Sequence, residues 1–346
     1  MNQKPNKLDK VMDTKLDSRV QREFSNDGTF KRQKNSFVTP FGDLPGQLPV
    51  EPDRYRLFWS DACPWAHRTV IVRKLLGLED VISLGTVGPI RPRLPHVDWE
   101  FNLDPNGVDP VLGITYLSEI YKETDPEYSG RPTVPAVVDV KTRKVVNNDY
   151  FQLTNYLETT WAPFHKQNAP NLYPEHLRTQ IDNLNEIIFQ DINNGVYKCG
   201  FARSQHAYEE SYDVLFARLD ELESLLSNQR FLLGEFITDS DIRLYTTLVR
   251  FDIAYYSAFK TNRQLIREFP NLWGYVRDLY QTPGFKDTTN FEAIKQHYHM
   301  SITISPDKSE VSILPKGPDL SGWTSKHCRE KFSTTKDKYF YEGAKR

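Results

Sequence analysis

Tyr55-Arg56-Leu57-Phe58-Trp59-Ser60-Asp61-Ala62-Cys63-Pro64-Trp65-Ala66-His67-Arg68 decides how this chain of 346 residues is read. The first five residues form an apolar and aromatic run that reads as a buried strand, and Ser60-Asp61-Ala62 reads as a turn. From Pro64 the pattern is helical. Proline suits a first helical position because its missing N–H would be unpaired there in any case. Trp65, Val70, Val72, Leu75 and Leu76 carry the helix to Gly77, a natural stop. A thiol, Cys63, therefore sits where a strand gives way to the first turn of a helix. The free N–H groups and the positive end of the helix dipole favour thiolate over thiol, which can lower a cysteine pKa from about 8.5 by one to several units. A dithiol motif would have its second cysteine where this chain has Ala66. The site can then form a mixed disulfide with an external thiol but has no internal partner to resolve it. The competing reading of Cys63 is a small buried hydrophobe.

Outward from this stretch, Val81 to Val87 reads as a second strand, followed by a segment rich in Pro, Gly and Asp in which only Ile114 to Lys122 looks helical. Long insertions of this kind belong to function or to interfaces, so Trp99 and Phe101 are expected to be anchored. Ala136 to Val140 and Lys144 to Val146 flank a turn as a hairpin, and Tyr150 to Leu157 continues as a helix. Strand, helix, strand, hairpin, helix is the order of a thioredoxin-like α/β layer. After a link around Pro163 to Pro174, apolar residues recur at three-and-four spacing over Leu177 to Ile192, Tyr208 to Leu226, Asp239 to Phe259 and Leu272 to Tyr280, so this half reads as all helix. Thr238 with Asp241 three residues on is an N-cap signal. The expected organisation is an N-terminal extension (1–50) pinned by Phe24, Phe30, Phe37 and Phe41, and a thioredoxin-like domain (51–162) with an insertion near 88–128. An all-α domain (175–300) and a polar tail (301–346), wrapped or partly disordered, follow.

Composition narrows the class. With 44 Lys and Arg against 46 Asp and Glu, the net charge of −2 gives no drive toward polyanions, and nucleic acid is set aside as a partner. No stretch approaches the roughly 20 apolar residues that span a bilayer. Met1 to Asp27 mixes lysines with acids and lacks the apolar centre of a signal peptide, so the expected location is cytoplasmic. Three scattered cysteines exclude a disulfide framework and a zinc site of paired cysteines.

Further candidates are weaker singly. Thr133-Val134-Pro135 precedes a strand: a cis bond would expose the Val134 backbone to a peptide-like ligand, and an ordinary trans proline opening an edge strand is the alternative. Asn147-Asn148-Asp149-Tyr150 opens a helix, either as a cap or as a seat for the charged end of an amino acid. Tyr197, Tyr255, Tyr256 and Tyr298 could line an aromatic cleft and donate protons; each alone is as well read as core. His297 and His299 lack a completing ligand set, so no metal is expected. His67 is read as a packing or hydrogen-bonding residue, Cys199 and Cys328 as structural or incidental, and Pro89 to Pro95 as a stiff loop.

Together, Cys63-Pro64-Trp65-Ala66-His67-Arg68, Trp99-Glu100-Phe101, Thr133-Val134-Pro135, Asn193-Asn194-Gly195-Val196-Tyr197, Arg250-Phe251-Asp252 and Asn271 to Gln281 resemble the glutathionyl-hydroquinone reductases, the xi class of glutathione transferases. The likeness runs from about Gly28 to Pro318, and the cysteine block alone is shared with the omega class. It implies a glutathione transferase fold, a homodimer, glutathione as cosubstrate and glutathionyl-hydroquinones as substrates. By matching positions it implies Cys63 as nucleophile and Val134, before Pro135, pairing its backbone with glutathione. Trp99 would pack on the tripeptide, and Tyr197, Tyr255 and Tyr298 would line the quinol pocket, Tyr197 and Tyr298 with a catalytic part. Asp149 and Tyr150 stand where the family usually has Glu and Ser for the γ-glutamyl end, Asp98 replaces a usual Gly, and His299 a frequent Tyr. An omega-like thioltransferase or dehydroascorbate reductase, and a catalytically idle binding module, are the competing functions.

Overall fold

Strand β1 (Tyr55–Trp59) is buried over its whole length because it has a neighbour on either side and helices above it. The computed structural model describes residues 23–91, 97–301 and 313–341. Its sheet has the order β2-β1-β3-β4, with β2 (Ser83–Thr86), β3 (Ala136–Asp139) and β4 (Lys144–Asn147). β1 runs parallel to β2 and antiparallel to β3, which pairs antiparallel with β4. A parallel neighbour requires a crossover, and α1 (Pro64–Leu76) supplies it. Proline opens the helix and Gly77, at φ 72°, closes it. A Cβ at that glycine would lie 2.6 Å from Lys166 Cβ, so both backbone and space demand the residue.

The second strand is shorter than the apolar run Val81 to Val87, because Val81 and Ile82 hydrogen-bond back to Leu78 to close the turn after α1. Helix α2 (Leu117–Thr124) starts after Ile114, where the Glu119 carboxylate accepts the N–H groups of Thr115 and Tyr116. Likewise α3 (Leu153–Glu158) begins beyond Tyr150, since Asp149 Oδ1 accepts Phe151 N–H at 3.1 Å and holds the preceding residues as a turn. The insertion is anchored as expected. Arg56 of β1 meets Asp109 at 2.6 Å in the interior, Phe101 packs edge-on against Phe58, and Trp99 is buried.

The helical half contains α4 (Arg178–Ile188), α5 (Gly195–Phe201), α6 (Gln205–Leu225), α7 (Asp239–Arg250), α8 (Pro270–Tyr280) and α9 (Phe291–Met300). Two apparently continuous helices are each interrupted by a π-turn, at Phe189–Asn193 and Phe251–Tyr255. Such turns re-aim the side chains that follow them. Neither α5 nor α9 was expected from sequence. Thr238 and Asp241 cap α7 as read, with Asp241 Oδ2 accepting Thr238 N–H at 2.8 Å. Within the first half α1 packs on α3, and the halves join where α1 packs on α7.

The arm before β1 is pinned by its aromatics. Phe24 bridges to Phe30, Phe30 packs on Phe201 of α5, Phe37 on Tyr121 of α2, and Phe41 on Tyr55 and Trp161. The described part of the tail is an extended wrap: Lys338 C=O accepts Ile237 N–H, Lys338 Nζ reaches Asp278, and Trp323 packs on Trp273 and Phe291. The signal-peptide reading of Met1 to Asp27 falls largely outside the described residues, as do residues 92–96 of the stiff-loop reading and residues 302–312 and 342–346 of the tail.

Candidate active site between the two domains

Cys63 is the N-cap of α1 and lines a cavity of about 450 Å³ between the sheet domain, the helical domain and the arm. Trp65, Trp99, Val134 and Tyr150 of the sheet domain line it with Cys63, Tyr197 and Tyr298 line it from the helical domain, and Phe24, Phe30 and Arg32 of the arm complete the lining. Cys63 is 6% exposed and its S–H donates to Val134 C=O at 3.4 Å. The bond Val134–Pro135 is cis, the first of the two possibilities read from sequence.

The thiol itself corrects an expectation. Burial pushes the Cys63 pKa up, while hydrogen bonds from Ala66 and Trp65 N–H and the charges of Arg250 and Arg32 pull it down without overcoming burial. The predicted helix-end effect is present, but burial outweighs it and the sulfur is a thiol held on a carbonyl. Arg250 braces the cysteine loop from α7, donating to Ala62 C=O at 2.9 Å and Asp61 C=O at 3.0 Å. It also contacts His67 Nδ1 at 3.1 Å. A guanidinium only donates, so Nδ1 is the acceptor and Nε2–H donates to Thr288 Oγ1 at 2.9 Å. Burial and Arg250 keep His67 neutral, with its pKa far below the usual range. His67 is thus a structural hydrogen-bonding residue, as read.

On the helical side three phenols meet. Tyr298 Oη lies 2.6 Å from Tyr197 Oη and 3.1 Å from Tyr255 Oη. Burial raises all three pKa values, Tyr255 and Tyr298 far above the usual phenol, so each oxygen carries its proton at neutral pH. Tyr197 and Tyr298 line the cavity, whereas Tyr255 stands behind them with its ring against both, a correction to its reading as a lining residue.

Trp99 stacks at 12° on His297, and Arg91 lies over its ring at 4.8 Å. His297 Nδ1 bonds Pro89 C=O at 2.7 Å, and His299 Nε2 bonds Ile253 C=O. Both histidines are tied to backbone. Asp98 has a local purpose: its Oδ1 accepts the N–H groups of Trp99 and Ser118, fastening the tryptophan loop to α2.

Asp149 and Tyr150 separate. Tyr150 lines the cavity and packs on Trp65 at 5.0 Å. Asp149 is not among the lining residues; its Oδ1 accepts from Asn35 Nδ2 at 3.0 Å and from Phe151 N–H. Pro135 also stands behind the lining. Cys199 is buried, with its pKa pushed up to about 12 by burial, and Cys328 is exposed in the tail. Sequence reasoning missed Arg32, Arg250 and the stacking role of His297. Each works through contacts more than 180 residues away or, for Arg32, through an arm whose pattern shows only its aromatics.

Residues 62–160 match the family model of the glutathione S-transferase N-terminal domain, and residues 205–278 match that of its C-terminal domain. The glutathionyl-hydroquinone reductase YqjG of Escherichia coli is 41% identical over 304 residues, covering 85% of this chain and 90% of its own length. Among solved structures, a glutathione transferase from Gordonia bronchialis is 53% identical with a TM-score of 0.78, over 82% of this chain and 87% of that one. The glutathione-S-transferase Xi of Phanerochaete chrysosporium is 40% identical with a TM-score of 0.79, over 86% and 95%. The match spans both halves of the chain and therefore the cavity between them.

Proposed function

The chain belongs to the glutathione transferases, with the glutathionyl-hydroquinone reductases of the xi class, and from that premise we propose how its cavity carries out the reaction. It is an enzyme that reduces glutathionyl-hydroquinones at the expense of glutathione. The observation that carries the mechanism is a single thiol facing two phenols across one cavity, with no second cysteine lining it.

The tripeptide lies on the Cys63 side. Val134 offers its backbone to the glutathione cysteine, Trp99 packs on the chain, and the bound amide takes over the carbonyl that holds the Cys63 S–H. Released from that bond, the thiol gives up its proton to solvent and the sulfur sits among the Trp65 and Ala66 N–H groups as a thiolate. It attacks the sulfur of the thioether. A Cys63–S–S–glutathione bond forms, the sulfur–aryl bond breaks, and its electron pair passes to the ring carbon, which takes a proton from the Tyr298–Tyr197 pair. The hydroquinone leaves. A second glutathione, as thiolate, attacks the glutathione sulfur of the mixed disulfide, giving oxidised glutathione and free Cys63, while the phenols recover their proton from solvent. Electrons balance: two thiols are oxidised to one disulfide and one aryl–sulfur bond is reduced.

A homodimer in a reducing, cytoplasmic setting completes this reading; among the described residues no helix is long and apolar enough to cross a membrane. Sedimentation of the purified chain checks the dimer.

Mass spectrometry tests the chemistry. Incubation with a glutathionyl-hydroquinone and no free glutathione should leave one glutathione on Cys63, none on Cys199 or Cys328, and free hydroquinone in equal amount. An unmodified Cys63 alongside released hydroquinone would overturn the covalent route.

A further inference from the structure

We propose that the quinol end of the site is built for hydroquinone thioethers whose ring carries a carboxylate, and that Arg32 of the N-terminal arm receives it. The inference rests on reading this cavity as the place where the thioether is cleaved.

Arg32 is held flat among rings. Its guanidinium carbon lies 4.4 Å from the Trp65 ring centre and 4.5 Å from that of Tyr197. Nε donates to Asn194 Oδ1 at 2.9 Å, which fixes the plane of the group. The remaining edge is unused among the described residues: Nη2 is buried and has no partner there. A guanidinium stacked by its faces keeps its N–H groups in the plane, where a carboxylate accepts two of them at once. An aromatic acid seated beside Tyr197 would offer such a group.

The charges around the cavity point the same way. Arg32, Arg91, Arg131, Arg203 and Lys260 line it against one carboxylate, Glu23, which pairs with Arg131 at 2.5 Å. Arg91 is committed to the tripeptide side, over Trp99 and on Asp98 C=O. Arg32, Arg203 and Lys260 have no acidic partner among the described residues. Glutathione brings two carboxylates and one ammonium, a single net negative charge, and binds beside Val134 and Trp99. The positive charge around Tyr197 therefore exceeds what the tripeptide neutralises, and an anion on the ring meets that excess. The arm's Phe24 and Phe30, also lining this end, supply the apolar surface that an aromatic acid needs around its charged edge.

The test compares glutathionyl adducts of hydroquinone and of a carboxy-hydroquinone. Wild-type enzyme should favour the carboxylated thioether by about tenfold or more in kcat/KM at low salt, and the preference should shrink as sodium chloride is added. Arg32→Gln should bring the ratio close to one, while Arg32→Lys should keep part of it. A wild-type ratio at or below one, or a ratio unchanged in Arg32→Gln, overturns the proposal. Calorimetry with the two free hydroquinones separates this proposal from the cleavage reading. If neither thioether turns over, tighter binding of the carboxylated ring that is lost in Arg32→Gln still supports Arg32 as receptor, and equal binding refutes it.

Discussion

The two walls of the cavity are made of different materials. On the sheet side the working groups are backbone: the N–H groups of Trp65 and Ala66 around the sulfur and the carbonyl of Val134 opposite it. On the helical side they are side chains, with Tyr197, Tyr255 and Tyr298 delivered by three separate segments and joined through their hydroxyls and ring edges. A backbone site is specified by local conformation, so a short run of sequence defines it. A side-chain site depends on how distant helices pack, and it can change chemistry without changing the fold.

The largest expected effect attacks the first wall. Cys63→Ser keeps the geometry and removes the polarisable nucleophile, and kcat for a glutathionyl-hydroquinone should fall at least about a thousandfold. Residual turnover near wild type would mean that glutathione attacks the thioether directly and the backbone wall only binds.

Next comes the hub of the second wall. Tyr298→Phe removes the hydroxyl shared by Tyr197 and Tyr255, and release of hydroquinone in a single turnover should slow about a hundredfold. Attack of glutathione on the preformed Cys63 mixed disulfide should stay close to wild type, because that half-reaction needs no aromatic proton donor. Tyr255→Phe, behind the lining, should cost about tenfold less than Tyr298→Phe. If both half-reactions slow together, the walls do not divide the labour and the comparison fails. A glutathionylated disulfide substrate adds a check: an omega-like thioltransferase would turn it over faster than the quinol thioether and be indifferent to Tyr298.

The walls touch through the Trp99–His297 stack, and this contact has a pH signature. Burial holds the His297 pKa at about 3, against an ordinary 6.5, with Nδ1–H on Pro89 C=O and Arg91 nearby. Below pH 6.5 the unfolded chain takes up a proton here that the folded chain refuses, so stability is fully present above that pH and is lost as pH falls toward 3. Denaturant midpoints across this window should decline with acid, and His297→Asn, whose amide N–H can replace Nδ1–H, should flatten that part of the decline. An unchanged slope in the variant assigns the acid sensitivity elsewhere, His67 being another buried histidine held neutral by its surroundings.

What could be read in advance follows the same division. The strand, turn and helix around Cys63, the stop at Gly77 and the hairpin are local patterns, and all are present. Missing from the reading were α5 and α9, the segments that carry Tyr197 and Tyr298. α5 has only seven residues and opens on a glycine, and α9 buries His297 and His299, polar residues that break an apolar stripe. The π-turns at Phe189–Asn193 and Phe251–Tyr255 leave a helical period almost intact in sequence, yet they set where Tyr197 and Tyr255 point. Arg32 and Arg250 had no local signal, since the first acts from an arm onto another domain and the second closes a loop 189 residues away.

The smallest expected effect concerns a position where resemblance and geometry part. By family pattern Asp149 should hold the γ-glutamyl end, and its loss should weaken glutathione binding strongly. In this chain the shorter carboxylate turns away from the cavity, binding Asn35 of the arm and the N–H of Phe151. Its neighbour Tyr150 fills the lining position against Trp65 instead. Asp149→Asn keeps the accepting oxygen and removes the charge, so glutathione Kd should change less than about threefold, while Asp149→Ala should cost about 1 kcal/mol of stability as a lost cap. Calorimetry on Asp149→Asn and denaturation of Asp149→Ala give the two readouts independently. A tenfold or greater loss of glutathione affinity in the asparagine variant would return the acid to the ligand and show that the sheet wall, too, depends on a side-chain charge.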